Sequence, residues 1–209
     1  MDFVSARLNM VDSQVRTADV TDTAIHRAMR TVHRERLVPA DRAFAAYSDR
    51  EVPIGPGRVL LAPRDLGKLL QAMAPQSGEK ALAIAAPYAA AVLAEMGLSV
   101  TAQEPDGHVP GFARGPLSEA GVAITEAPLN QPAGQGFDLI IVEGAVSETP
   151  QAWIDALGEG GRLGVVERNG PVGKARLFLK TAHGVSHREL FDATPQTLAG
   201  FEKRPTFQL

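Results

Sequence analysis

The sequence KALAIAAPYAAAVLAEMGLSVTAQEPD, residues 80–106, contains one complete strand–helix–strand pattern. The apolar run at 81–86 predicts a buried strand, and the alanine-rich run at 88–96 predicts a helix that Gly97 ends. A second apolar run at 98–102 predicts the next strand. This succession is typical of an α/β protein with a largely parallel sheet.

The turn between the first strand and the helix lacks the residues that usually bind a ligand there. In doubly wound α/β proteins this turn carries glycines, and an acid at the end of the second strand binds ribose hydroxyls. Glu104 supplies the acid, but the turn reads Ala85-Ala86-Pro87-Tyr88. Alanine in a left-handed conformation costs about 1–2 kcal/mol, and proline has no N–H to donate. The sequence therefore keeps the acid without the loop that usually accompanies it.

The remaining sequence repeats this alternation and ends with antiparallel strands. Residues 137–142 are the clearest strand, since a nearly continuous apolar run indicates burial on both faces, and Glu143 follows at its carboxyl end. Residues 174–180 and 185–191 alternate and are joined tightly, which predicts a hairpin. Further helices are expected at 65–73, at 111–121 and from Pro150, and further strands at 122–125 and 162–166. In the helix that starts at Pro150, Trp153, Ile154 and Leu157 are expected to face inward. The pattern predicts a three-layer α/β fold.

Two helices are predicted ahead of this region. In the first, spacings of three and four residues predict one buried face made of Val4, Leu8, Val11 and Val15. Thr21 and Asp22 offer an N-cap for the second helix, and Asp65 offers one for a later helix. Residues 1–64 are therefore expected to form a helical cap and an irregular loop segment, packed on an α/β domain of residues 65–209 as one globular unit. This cap either serves only to pack on the α/β domain or also covers a substrate groove.

Composition limits the classes of function. A chain of 209 residues, 44% of them hydrophobic, is long enough for one well-buried domain. A net charge of −3 and dispersed basic residues argue against a nucleic-acid partner. Cysteine is absent, which excludes disulfides and thiolate metal sites. The histidines form no metal-ligand pattern, so no metal is expected: His26, His33, His108, His183 and His187.

The sequence also predicts where the protein works. No stretch approaches the roughly 20 apolar residues of a membrane span. The N-terminus contains acids and no continuous apolar core, unlike a signal peptide. A cytoplasmic protein without a membrane partner is expected.

Several segments, taken in order, resemble the protein-L-isoaspartate O-methyltransferase family, whose members use S-adenosylmethionine to methylate the carboxylate of isoaspartyl residues in damaged proteins. They include MVDSQVR at 10–16, RERLVP at 34–39 and PIGPG at 53–57. The other matching segments are residues 24–32, 47–49, 89–96, 137–142, 160–163 and 189–191. Together they cover almost the whole chain. The resemblance implies a Rossmann-like S-adenosylmethionine-dependent methyltransferase fold.

The resemblance also assigns candidate cofactor contacts. It implies that S-adenosylmethionine, if bound, has its ribose on Glu104 and its methionine moiety near the backbone of residues 85–88. Glu143 lies where open α/β sheets bind ligands, so it either takes over polar contacts with the cofactor or is simply exposed. Residues 55–63 would present the methyl acceptor, a protein or peptide.

The sequence departs from the family where the chemistry takes place. The family has hydroxyl side chains in its active-site segment, but Val59 and Leu61 stand at those positions. A leucine cannot donate a hydrogen bond to a carboxylate or offset its desolvation. No catalytic residue is therefore identified, and the family's ordinary activity is expected to be weakened or lost.

Two hypotheses follow. The first is a divergent methyltransferase that still uses S-adenosylmethionine. The second is a catalytically inactive homologue that acts as a binding or regulatory module, including as a homo-oligomer. A crevice at the carboxyl edge of the sheet that is filled by Tyr88, Leu61 or another side chain would contradict the first hypothesis. An open crevice bearing Glu104 and Glu143 would count against a purely structural role.

Overall fold

The computed structural model of the chain describes residues 2–105 and 110–203. Its α-helices are α1 (Phe3–Met10), α2 (Thr23–Thr31), α3 (Pro63–Met73), α4 (Pro87–Glu95), α5 (Gly111–Glu119) and α6 (Gln151–Asp155). Its strands are β1 (Val52–Gly55), β2 (Arg58–Leu60), β3 (Lys80–Ile84), β4 (Ser99–Glu104), β5 (Ala123–Glu126), β6 (Phe137–Val146), β7 (Leu157–Glu167), β8 (Gly173–Thr181) and β9 (Gly184–Ala193). His108, one of the histidines considered above, lies outside the described residues.

Seven strands form one sheet in the order β5-β4-β3-β6-β7-β8-β9. The pairs from β5 to β7 are parallel, whereas β7–β8 and β8–β9 are antiparallel. The predicted mostly parallel sheet with an antiparallel C-terminal hairpin is confirmed. Strands β1 and β2 form a separate two-stranded sheet.

The sheet is covered on both faces. Alternate residues of β3 belong to different apolar clusters, with Ala81 and Ala83 in one and Leu82 and Ile84 in the other. Helices α3 and α4 contribute to the first cluster, and Trp153 of α6 contributes to the second. Since successive side chains of a strand point to opposite faces, the sheet lies between two helical layers. The predicted three-layer architecture is confirmed.

The central strand is longer than predicted. Strand β6 continues past Val142 to Val146 and pairs with β7 as far as Glu167. Glu143 is therefore within the strand, not beyond its end. Its burial is complete, so the expectation that it is simply exposed is wrong.

The predicted buried face of the first helix is only partly correct. Val11 and Val15 are buried, but Val4 and Leu8 are 59% and 43% exposed. The reason is that α1 ends at Met10 and the chain continues as a π-helix over Val11–Val15, whose wider turn changes which positions face inward. Asp22 caps α2 as predicted, because its carboxylate accepts a hydrogen bond from Ala24 N at 2.7 Å.

Two smaller boundaries also differ from the prediction. Helix α3 begins at Pro63, so Asp65 lies within its first turn and does not cap it. Leu157 begins β7 and is not part of α6. The division into a cap of residues 1–64 and a domain of residues 65–209 stays a prediction.

Candidate functional site

The candidate site lies where the carboxyl ends of β3 and β4 meet the middle of β6. The N-terminal cap reaches this edge through β2 and through the 3-10 helix Arg34–Leu37. Three charged side chains at this edge are almost fully enclosed: Arg34, Glu104 and Glu143 are each 0% exposed. Burial of charges on this scale requires partners, because an isolated ion loses its hydration.

Glu143 binds backbone N–H groups on two sides. Its Oε1 accepts a hydrogen bond from Ala89 N at 2.7 Å, and its Oε2 accepts one from Leu61 N at 2.9 Å. Ala89 lies in the first turn of α4, where the N–H groups of a helix have no partner in the helix and carry partial positive charge. The carboxylate of Glu143 therefore occupies the anion position of this helix N-terminus.

Arg34 supplies the positive charge near this carboxylate. Its Nε and Nη2 donate to Ala46 O and Leu61 O, both at 2.7 Å. Its guanidinium carbon lies 4.5 Å from the centre of the Tyr88 ring, a cation–π distance. Tyr88 is 0% exposed and its hydroxyl has no hydrogen-bond partner among the described residues. Arg34, Tyr88 and Leu61 are all buried on the Glu143 side of the sheet edge.

One residue in the turn before α4 has the backbone conformation that glycine usually adopts. Ala85 has φ of +52°, in the left-handed region that alanine rarely adopts. Its N–H is used internally, donating to Gln103 O at 2.9 Å. Pro87 has no N–H, and the N–H of Ala89 is taken by Glu143. Ala85, Pro87 and Ala89 therefore offer no free N–H group to a ligand.

Glu104 at the end of β4 is paired with an arginine. Arg58 Nη2 lies 2.6 Å from Glu104 Oε2, and the side chains are 8% and 0% exposed. Glu104 is therefore a buried, paired residue and not a solvated one at the end of its strand. A carboxylate held in this way has no exposed oxygen for the hydroxyls of a ribose.

A cavity of about 730 Å³ remains next to this ion pair. Its walls come from the β1–β2 turn, the residue after β4, the start of α5, the loop before β6 and the segment 199–201. Most of the lining side chains are apolar, including Ile54, Phe112 and Phe201. The sheet edge is therefore buried around Glu143 and has a cavity beside Glu104.

Val59 and Leu61, at the positions where the resemblance predicted hydroxyls, are 0% and 1% exposed. Leu61 contributes its backbone to the site through the contacts with Glu143 and Arg34 described above. Neither side chain offers a polar group to a reacting carboxylate. The role of these two positions stays a prediction.

Burial raises the pKa of both site carboxyls. For Glu104 the charge of Arg58 opposes the shift, and for Glu143 the charge of Arg34 and the two backbone N–H groups oppose it. A carboxyl whose pKa is higher in the folded state than in the unfolded state binds more protons when folded. Its contribution to stability is therefore largest below the ordinary carboxyl pKa and decreases as the pH rises through the folded-state value.

Glu104→Gln should consequently change how stability depends on pH. We expect the free energy of unfolding of the unmodified protein to fall, relative to that of Glu104→Gln, as the pH rises above the ordinary glutamate pKa of about 4.3, by at most about 1.4 kcal/mol per pH unit. Denaturant unfolding of both proteins across a pH series measures this difference. Parallel curves would contradict the raised pKa of Glu104.

The sequence predicted some of these residues and missed others. It identified Glu104, Glu143 and the turn 85–88 as neighbours, and they do lie at one edge. It did not predict that Arg58 pairs with Glu104 or that the charge of Arg34 acts on Glu143. No local signal distinguishes them, because a buried arginine and an exposed one look alike in a single sequence.

Two further classes of site, for metal ions and for membranes, concern residues 2–105 and 110–203. That part of the chain contains no group of three or more His, Cys, Asp or Glu side chains that could hold a metal ion. Among its helices, none combines the length and the apolar character needed to cross a membrane.

Comparison with known sequences places this site in a family context. A family model of protein-L-isoaspartate(D-aspartate) O-methyltransferases matches residues 6–102. A protein-L-isoaspartate O-methyltransferase of Methylorubrum populi is 35% identical over 91% of this chain and 92% of its own length. One from Aeropyrum pernix is 33% identical over 86% of this chain and 71% of its own length.

Solved structures show the same fold. A Plasmodium falciparum protein-L-isoaspartate O-methyltransferase, crystallised with S-adenosyl-L-homocysteine, has a TM-score of 0.77 and 19% identity, covering 92% of this chain and 97% of its own. A second protein-L-isoaspartate O-methyltransferase has a TM-score of 0.73 and 20% identity, covering 90% of this chain and 64% of its own. The Rossmann-like fold implied by the resemblance is confirmed.

Proposed function

The chain belongs to the protein-L-isoaspartate O-methyltransferase family, and we propose that it is a member in which methyl transfer is weakened or lost and which acts by binding. The observation that carries this proposal is the position of Glu143. Its carboxylate accepts hydrogen bonds from Ala89 N and Leu61 N, at the turn where the methionine moiety of S-adenosylmethionine is expected. Two carboxylates cannot share these donors without strong mutual repulsion.

Two of the backbone donors and the acid that S-adenosylmethionine would need have partners inside the protein, which supports this proposal. The cofactor would supply an activated methyl group and would need donors for its carboxylate and an acid for its ribose. The N–H groups of Ala85 and Ala89 donate to acceptors inside the protein, and the carboxylate of Glu104 is paired with Arg58. Losing two or three such polar contacts, each worth about 1–3 kcal/mol when a charge is involved, weakens binding by several powers of ten.

The acceptor side supports the same proposal. Methyl transfer from a sulfonium depends on holding the nucleophile in line with the methyl group. The buried side chains of Val59 and Leu61 provide no hydrogen bond to orient an acceptor carboxylate. These two positions therefore supply no group that could position the acceptor.

One observation favours the alternative of a divergent methyltransferase. The cavity of about 730 Å³ beside Glu104 is large enough for a cofactor-sized group. If Arg58 moved away from Glu104, the acid could reach a ribose. The affinity for a cofactor analogue decides between the two functions.

Calorimetric titration with S-adenosylhomocysteine is the direct test, since this product binds without turnover. We expect no heat of binding up to millimolar ligand, from protein whose cooperative thermal unfolding shows that it is folded. An isotopic assay with S-adenosylmethionine and an isoaspartyl peptide is expected to give no methyl ester. A dissociation constant in the micromolar range would contradict the proposal and make the alternative the working function.

The other expected properties belong to the same proposal. The partner of a binding member of this family is expected to be a protein or peptide, and a homo-oligomer is one form that such binding takes. A cytoplasmic location is consistent with the family. Size measurement in solution, with and without cell extract, tests the first two expectations.

A further inference from the structure

The cavity beside Glu104 has the character of a small-molecule site. Its volume of about 730 Å³ falls in the range of ligand pockets, and apolar side chains from several elements form its walls. The lining includes Pro56, Pro105 and Pro110 together with Phe112 and Phe201. Such rigid apolar walls favour a flat apolar ligand, because it replaces water without requiring hydrogen bonds.

Among the described residues, one charged side chain lines this cavity, and part of it has no hydrogen-bond partner there. Arg58 is 7% exposed, and its Nη2 lies 2.6 Å from Glu104 Oε2. Its Nε is enclosed and has no hydrogen-bond partner among the described residues. Nη2 is enclosed as well, so Nη1 is the nitrogen that can reach a molecule in the cavity. An arginine can bind a second acceptor while it keeps its first one.

We infer that this cavity binds a small molecule with a flat, apolar body and one acidic group, and that Arg58 binds the acidic group. The inference rests on the proposed function, since it assigns the cavity to a ligand other than S-adenosylmethionine. Burial makes each hydrogen bond from Arg58 stronger than it would be in water. The apolar walls take the body of the ligand, and Arg58 selects an acid over a neutral analogue of the same shape.

Anilinonaphthalene sulfonate is a suitable probe, because it joins an aromatic body to one sulfonate and its fluorescence rises in apolar surroundings. We expect saturable binding of one probe molecule per chain. We expect the neutral analogue phenylnaphthylamine to bind about tenfold more weakly, in line with one charged hydrogen bond. Equal affinity for the two probes would overturn the role of Arg58.

Two variants test Arg58 directly. Arg58→Met should weaken sulfonate binding about tenfold and leave phenylnaphthylamine binding within about twofold. Glu104→Gln should have the opposite effect on the sulfonate, because it removes the carboxylate that competes for Arg58. The matched control is Arg36→Met, which removes an arginine paired with Glu119 outside the cavity and should change neither affinity.

Arg58→Met leaves Glu104 without its partner, so that variant can fail to fold. The double variant Arg58→Met/Glu104→Leu removes both charges and should fold and lose sulfonate selectivity. Absence of saturable binding to the folded protein, or sulfonate affinity that is unchanged in the double variant, would overturn the inference and leave the proposed function intact. Displacement of the probe by micromolar S-adenosylhomocysteine would instead contradict the proposed function.

Discussion

Replacing Arg34 by methionine is expected to lower the free energy of unfolding by about 3–5 kcal/mol, the usual cost of removing one partner from a buried charge group. The side chain is fully enclosed and donates to Ala46 O and Leu61 O. Its removal also takes away the cation whose charge stabilises the buried carboxylate of Glu143 most. Equilibrium denaturation in urea measures the loss. A domain with a total stability of about 5–15 kcal/mol would be left marginal.

Arg36→Met provides the matched control. Arg36 lies in the same 3-10 helix, Arg34–Leu37, and undergoes the same change of side chain. Its ion pair with Glu119 is at the surface, with side chains 45% and 63% exposed. Surface pairs contribute about 0–1 kcal/mol, so this variant should be close to the unmodified protein. Similar losses in both variants would show that the buried charges around Arg34 do not stabilise the fold.

Glu143→Ala is also expected to lower the free energy of unfolding by about 3–5 kcal/mol, because it removes the anion from the same buried group. The N–H groups of Leu61 and Ala89 would lose their acceptor inside the protein, and Arg34 would be a buried cation without a carboxylate. The space left behind has the size and polarity of a small carboxylate. Formate should therefore bind there and raise the melting temperature of the variant.

The rescue distinguishes a specific site from general destabilisation. Formate at ten times its dissociation constant would restore about 1.4 kcal/mol, whereas sodium chloride at the same ionic strength should restore little. The unmodified protein should gain nothing from formate, because its own carboxylate fills the position. Equal stabilisation by formate and chloride, or an alanine variant that loses less than about 1 kcal/mol, would show that Glu143 does not act as the anion of this helix.

The fold could be predicted from local patterns because it depends on them. The apolar run of β3, the alanine-rich α4 and the alternating strands of the hairpin each carry their periodicity in consecutive residues. The first helix was predicted less well. Its apolar spacing fits a regular helix, and nothing in the sequence indicates the π-helix that turns Val4 and Leu8 toward solvent.

The site could be predicted only in part because it depends on pairs that are distant in the chain. Glu104 and Glu143 were located correctly by their strands, but the sequence left open whether they face water or a ligand. The answer comes from Arg58 and Arg34, which are separated from those acids by long stretches of chain. Arg34 and Arg36 have nearly the same neighbours in the sequence, yet one is enclosed and the other is exposed. Only the tertiary packing of the cap decides which is which.

The bond between Glu143 and the N-terminus of α4 has a consequence in terms of mass action. A protein whose anion is a free ligand gains stability only in proportion to the logarithm of that ligand's concentration. Here the anion is part of the chain, so its effective concentration is fixed by covalent connection and exceeds what a dissolved metabolite usually reaches. The helix N-terminus is thus filled in every molecule, and the stability that it provides does not vary with the supply of any small molecule in the cell.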